Sequence, residues 1–152
     1  MGEKLKYGIH IAPTFLSMAR MENGTPVMVK SDTLKDKMPL CVGFNRKGNM
    51  LIGDSAKSAL LSKRSRSTKN WQADHVNFFT EFTRVLGTDK TFYSSFMDNE
   101  FNSEELLAEA LKKIRSFVTD EEVTAAVLTS PAGFDIRQKD ALHRAARLAG
   151  IQ

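Results

Sequence analysis

Hydrophobic positions first gather at Tyr7-Gly8-Ile9-His10-Ile11-Ala12, a short run that reads as a strand ended by Pro13. From Thr14 to Glu22, Phe15, Leu16, Met18 and Met21 mix with the polar Ser17 and Arg20, as in a second strand. Asn23-Gly24 follows, and both residues tolerate positive φ, the signature of a tight hairpin turn. Pro26-Val27-Met28-Val29-Lys30 returns, so residues 7–30 are expected to form a β-meander. Residues 31–39 are mostly polar and read as a loop. Leu40 to Phe44 and Met50 to Ile52 form a further strand pair around the turn Arg46-Lys47-Gly48-Asn49. Asp54 is placed to cap a short helix over Ser55–Leu61.

The second half changes period. Val76, Phe78, Phe79, Phe82, Val85 and Leu86 fall at helical spacing, with Gly87 as the stop, and predict a helix with a phenylalanine core. Asn102 and Glu105 form a capping-box pattern ahead of a helix whose buried stripe is Leu106, Leu107, Ala110, Leu111, Ile114 and Val118. Val123 to Thr129 is nearly all apolar, as in a parallel strand buried on both faces. Asp135 and Gln138 repeat the capping pattern for a helix running to Ala149, and Gly150 closes it. Strands, a hairpin excursion, helices and a final β-loop-α unit predict an α/β fold with a smaller lobe inserted.

Composition adds bounds. The 152 residues carry 22 Lys plus Arg against 18 Asp plus Glu, a net charge of +4. A chain this long buries about 68–70% of its unfolded surface and needs no covalent or metal staple. The lone Cys41 excludes an internal disulfide and a multi-cysteine zinc site. No apolar stretch approaches the length of a membrane span, and a reducing cytoplasm is the expected setting. Residues 62–70 hold four cations and no acid. A run that short reads as a solvated loop, so nucleic acid is not the expected partner, with salt-sensitive RNA binding the rival reading. His75 and His143 have no metal-ligand spacing, and Ser17, Ser130 and Cys41 lack the context of a nucleophile, so no metal site and no covalent catalysis are expected.

Five segments in order carry a resemblance. Tyr7-Gly8-Ile9 with Thr14 sits where DnaK-type heat-shock chaperones carry Gly-Ile-Asp-Leu-Gly-Thr-Thr. Gly48 to Lys57 resembles their Gly…Val-Gly-Asp-Ala-Ala-Lys stretch, and Phe82 to Gly87 resembles Lys-Arg-Leu-Ile-Gly. Ser130 to Phe134 is similar to Val-Pro-Ala-Tyr-Phe, and Gln138 to Ile151 to the helix that follows. The chain thus resembles the DnaK-type seventy-kilodalton heat-shock chaperone family over nearly all its length.

That resemblance implies an actin-like ATPase (ribonuclease H-like) lobe I, with a mixed sheet core, flanking helices and an inserted small α+β subdomain. The core subdomain would be residues 1–39 and 116–152, incomplete, and the insertion residues 40–115. It implies ATP or ADP with magnesium, unfolded protein clients, co-chaperones, and a piece of a longer protein whose second lobe supplies most adenosine contacts. The unfinished sheet edge would then be a place for self-association.

The family's first β-turn-β cradles phosphate with backbone N–H groups, and a carboxylate orders magnesium. Here the carboxylate position is His10, the close-approach glycine is Ala12, and one threonine is Pro13, which has no N–H. Thr14 keeps its hydroxyl and Phe15 follows. The family lysine that positions the attacking water falls on Thr83, with Arg84 its neighbour on a different helical face. Charge stabilisation dominates phosphoryl transfer, so these changes predict a degraded phosphate loop and weak or absent hydrolysis. The blander reading of His10 is a strand residue with a satisfied hydrogen bond. The rival function is a non-hydrolysing scaffold or interaction module of the same fold.

Overall fold

The computed structural model describes residues 6–65, 77–130 and 133–152. The basic run from Arg66 to Lys69, with Trp71, His75 and Val76, lies outside them, as do Pro131 and Ala132.

β1 (Tyr7–Ile11) and β2 (Phe15–Glu22) pair antiparallel, with Ile9 opposite Met18 and Ile11 opposite Leu16. These four side chains are buried, because strand side chains alternate between faces and the odd-numbered positions of β1 point inward. Asn23 and Gly24, at φ 51° and 79°, make the turn into β3 (Thr25–Met28). Residues 31–39 are not all loop. β4 (Lys37–Pro39) pairs with the first half of β2, while β3 pairs with its second half. Only Met38 of β4 is buried, too short a signal to separate from loop in the sequence.

A second sheet has β5 (Cys41–Phe44) between β6 (Met50–Ile52) and β7 (Phe78–Thr80). The helix expected over Val76 to Leu86 is replaced by β7 and a 3-10 helix at Phe82–Val85. Glu81, at φ 51°, stands between them and breaks any continuous helix. Phe78 and Phe79 are both buried as adjacent strand residues, Phe79 against Phe92 at 5.5 Å between rings. That double burial mimics helical spacing. β8 (Thr91–Ser94) and β9 (Asn99–Asn102) add a separate hairpin.

α1 spans Asp54–Ser65, longer than expected, with Asp54 in its first turn. α2 (Ser103–Arg115) and α3 (Ile136–Leu148) each begin with the capping box read from the sequence. The Glu105 N–H donates to the Asn102 side chain at 2.8 Å, and the Gln138 N–H to Asp135 at 2.9 Å. Gly150 follows α3 at φ 79°. α2 and α3 lie side by side, with Leu107, Leu111, Ala141 and Ala145 all in the same buried cluster, and are clamped outside by Arg144, which donates to Glu104 at 2.7 and 3.1 Å.

β10 (Val127–Thr129) pairs parallel with β1, as expected, but it is not buried on both faces. It covers three of the seven residues proposed, and Val127 is 51% exposed, because β10 is the outermost strand of its sheet. Gln152 lies beside the residues before it. The Ala126 N–H donates to the Gln152 carbonyl at 3.2 Å, and the Gln152 N–H to Thr124 at 2.8 Å.

Residues 120 and 121 are tied to the sheet by charge. Arg20 meets Asp120 at 2.8 Å and Glu121 at 3.3 Å, and the Tyr7 hydroxyl donates to Glu121. Among the described residues the fold is thus mixed α/β, with three sheets, one main buried core and a small second cluster of Cys41, Ala56 and Phe78. Among the described residues, no helix is long and apolar enough to cross a membrane.

Candidate functional site

Alternation puts His10 on the outer face of β1, away from the core. Register then sets its neighbours: Thr129 of β10 on one side, Ser17 of β2 on the other, and Lys37 of β4 beyond Ser17. Thr129, His10, Ser17 and Lys37 therefore form one polar row across four strands. His10 Nδ1 and Thr129 Oγ1 share a hydrogen bond at 2.8 Å. The Phe15 ring lies 6.0 Å from the His10 ring, and Lys37 Nζ sits 4.5 Å from the Phe15 centroid, a cation–π contact.

The turn from Ala12 to Thr14 closes on itself. The Ala12 N–H donates to the Phe15 carbonyl at 3.0 Å, and the Thr14 carbonyl accepts from the Leu40 N–H at 2.9 Å. Ala12 is buried, and Pro13 is exposed and has no N–H. Two of the turn's amide positions are thus closed to an anion, one by its partner and one by chemistry. Thr83 lies in the 3-10 helix with its side chain buried, while Arg84 points outward and pairs with Glu81 at 3.2 Å.

Beside the turn is a cavity of about 410 Å³, lined by Thr14, Phe15, Lys35, Lys37, Asp54 and Lys57 among others. A smaller one of about 260 Å³ shares Thr14, Lys57 and Leu61 with it and reaches Cys41, Thr80 and Glu81. The structure therefore brings Thr14 and Phe15 to one cleft, with Pro13 on their turn and the His10 ring 6.0 Å from that of Phe15, and leaves Thr83 buried in the 3-10 helix. Burial pushes the Cys41 thiol up to about 11, partly offset by the Lys57 charge. Two larger cavities, about 530 and 720 Å³, lie elsewhere, one beyond the C-terminus of α2 and one between α3 and β10.

A hydrated magnesium ion does not fit this chemistry. Its ordering carboxylate would stand at His10, which is instead bonded to Thr129. Among the described residues no three of His, Cys, Asp and Glu gather as a metal site. The turn also fits a phosphate group poorly, since Ala12 has committed its N–H to Phe15. What remains for an anion is the Thr14 hydroxyl and the lysines around it. Sequence reasoning missed Lys35, Lys37 and Lys57, because the first two fell in a presumed loop and the third on a solvated helix face. The Lys35-Asp36-Lys37 alternation beside a lone Met38 was the available signal.

Comparison with known proteins supplies the relatives. The family model described as Hsp70 protein matches residues 6–152. The chain is 29% identical over 155 aligned positions to the chaperone protein DnaK of Mesomycoplasma hyopneumoniae strain J, and equally so to that of strain 232. It is 25% identical to the chaperone protein DnaK of Mycoplasmopsis agalactiae. Each alignment takes in 100% of this chain but 23% of the relative, so the chain spans about a quarter of their length.

Proposed function

Because the chain belongs to the Hsp70 family, matched from residue 6 to residue 152, we propose that it forms the first lobe of a chaperone nucleotide-binding domain whose phosphate turn no longer supports hydrolysis. The family carries an actin-like ATPase fold, and the mixed α/β architecture agrees with it. The finer division is also a proposal: a core of residues 1–39 and 116–152 bearing an insertion of residues 40–115. Its support is that the sheet of β1, β2, β3, β4 and β10 draws only on residues 7–39 and 127–129.

One observation carries the functional reading. The turn offers no carboxylate at His10, no N–H at Pro13 and an Ala12 N–H already bonded to Phe15, while the family's lysine position, Thr83, is buried and uncharged. Phosphoryl transfer depends on positioning and on charge around the γ-phosphate, and both are removed together. In the protein that contains this lobe, ATP or ADP with magnesium, unfolded clients, co-chaperones and a cytoplasmic setting follow from the family relation. The outer edge of β10 at Val127–Thr129 is the proposed point of self-association.

The test is a steady-state turnover assay on the full chain with Mg·ATP, run beside calorimetric titration. Turnover is expected to stay at buffer background with and without magnesium. Magnesium-dependent turnover that chelation abolishes would overturn the reading. The closed turn also favours a second reading, a non-hydrolysing scaffold of the same fold. That reading requires that millimolar ATP give no binding heat at all.

A further inference from the structure

We propose that Asn23 is a self-modifying site: the Gly24 backbone nitrogen attacks the Asn23 side-chain amide, and the β2–β3 turn converts slowly to isoaspartate. The product loosens β3 and uncovers the edge of β2. The site is independent of the nucleotide reading, since the turn lies at the opposite end of β2 from Thr14.

Among the described residues, Asn23 alone combines an unengaged asparagine side chain with a following glycine. The Asn45 side chain accepts from the Lys47 and Asn49 N–H groups at 3.0 and 2.9 Å. Asn77 is buried and accepts from the Ser94 hydroxyl and the Phe96 N–H. Asn99 accepts from the Glu100 N–H at 2.9 Å, and Asn102 caps α2. Asn49 precedes Met50, whose side chain crowds the nitrogen that would have to attack. At Gly24 no side chain stands beside that nitrogen, and even an added Cβ would meet nothing within 4 Å. Asn23 and Gly24 are both exposed. No turn or side-chain hydrogen bond of the described residues engages the Asn23 amide or the Gly24 N–H.

Hydroxide takes the Gly24 amide proton, the nitrogen bonds Asn23 Cγ, and the Cγ–Nδ2 bond breaks. The departing nitrogen takes a proton from water, restores the hydroxide and leaves as ammonia. Water then opens the cyclic succinimide. Opening at Cγ gives aspartate, and opening at the Asn23 carbonyl carbon gives isoaspartate, with the main chain rerouted through Cγ. The net change is one water for one ammonia, with no oxidant and no cofactor. The tight turn sets the pairing of Glu22 with Thr25 and of Met21 with Pro26. Isoaspartate adds a carbon to the main chain of that turn and a carboxylate beside Glu22. Little holds the hairpin shut: all four residues of β3 are exposed, and β3 ends its sheet with β2 as its partner. Local opening therefore gives the nitrogen its access to Cγ. Release of β3 afterwards uncovers the backbone edge of β2 at Ala19–Glu22.

Long incubation of the full chain at physiological temperature, read by peptide mass spectrometry, tests this. The peptide holding Asn23 is expected to gain one mass unit at least tenfold faster than those holding the other asparagines, and faster in mildly alkaline than in mildly acidic buffer. Isoaspartate is read by methyl transfer from S-adenosylmethionine, with an isoaspartyl methyltransferase as the probe. Hydrogen exchange in β3 is expected to quicken at least tenfold in the aged chain. Asn23→Gly keeps a turn-forming residue and removes the reacting amide, so β3 is expected to stay protected with age. Asn23→Asp carries the charge without the rerouted chain, and β3 is expected to be protected when that variant is fresh. Thermal melts of the fresh variants monitor folding. An Asn23 peptide that gains mass no faster than the others overturns the proposal. So does mass gain without methyl acceptance, or with β3 exchange unchanged. Equal loosening of fresh Asn23→Asp would assign the effect to charge and overturn the rerouted chain as its cause.

Discussion

At the residue scale, Tyr7 joins the core to the surface. Its ring is buried in the sheet while its hydroxyl reaches Glu121 at the rim. Burial, and then the hydrogen bond to Glu121, push the phenol up to about 12. A phenol ionises to an anion, so a raised value means the folded state holds its proton where the unfolded chain has lost it. The stabilisation is complete below pH 10 and is lost as pH rises through about 12. Denaturant midpoints are therefore expected to fall across that interval, and the Tyr7→Phe variant to show a flatter fall. Equal slopes for the two proteins would show that Tyr7 does not carry the effect. Nearby, Arg20 holds the Asp120 carboxyl below its ordinary range by its hydrogen bond, an exposed pair of small energetic weight. The same attention to single residues explains His10. The sequence placed it only as a polar residue of β1, and its hydrogen bond to Thr129, 119 positions away, depends on two strands meeting.

At the element scale, β5 and β7 pair closely where Gly43 stands opposite Phe78. A Cβ added at Gly43 would stand 2.1 Å from Phe78 Cδ1, so the ring occupies the space a side chain there would need. Gly43→Ala must displace a buried phenylalanine, and overpacking of this kind costs about 1–3 kcal/mol. Equilibrium denaturation measures it, and a loss near zero would mean that Phe78 does not pack there. This contact also accounts for the misread helix. Phe78, Phe79 and Phe82 share a helical spacing, but β7 places the first two against β5 and the β8–β9 hairpin, and Glu81 turns the chain before the third. α2 and α3 were legible for the opposite reason. Their caps are local, since Asn102 with Glu105 and Asp135 with Gln138 close within one turn of helix.

At the scale of the whole molecule, the sheet ends at β10, where Val127 is half-exposed and Gln152 pairs only with the residues before it. An open strand edge presents unpaired N–H and C=O groups to any partner, including a second copy. Sedimentation is expected to show concentration-dependent self-association that Val127→Lys weakens. A monomer at all concentrations would remove β10 as the contact. The family relation, the helix caps, the Asn23-Gly24 turn and the existence of β1 could all be read from the amino-acid order. Each rests on neighbours within a few positions or on motifs kept in sequence. The lysine cleft could not be read this way. Lys37, Lys57 and Thr14 belong to a three-residue strand, a helix and a turn, and carry no shared spacing. Only strand register and the packing of α1 bring them to one wall, because burial and pairing between distant segments set that geometry. Local preference along the chain does not.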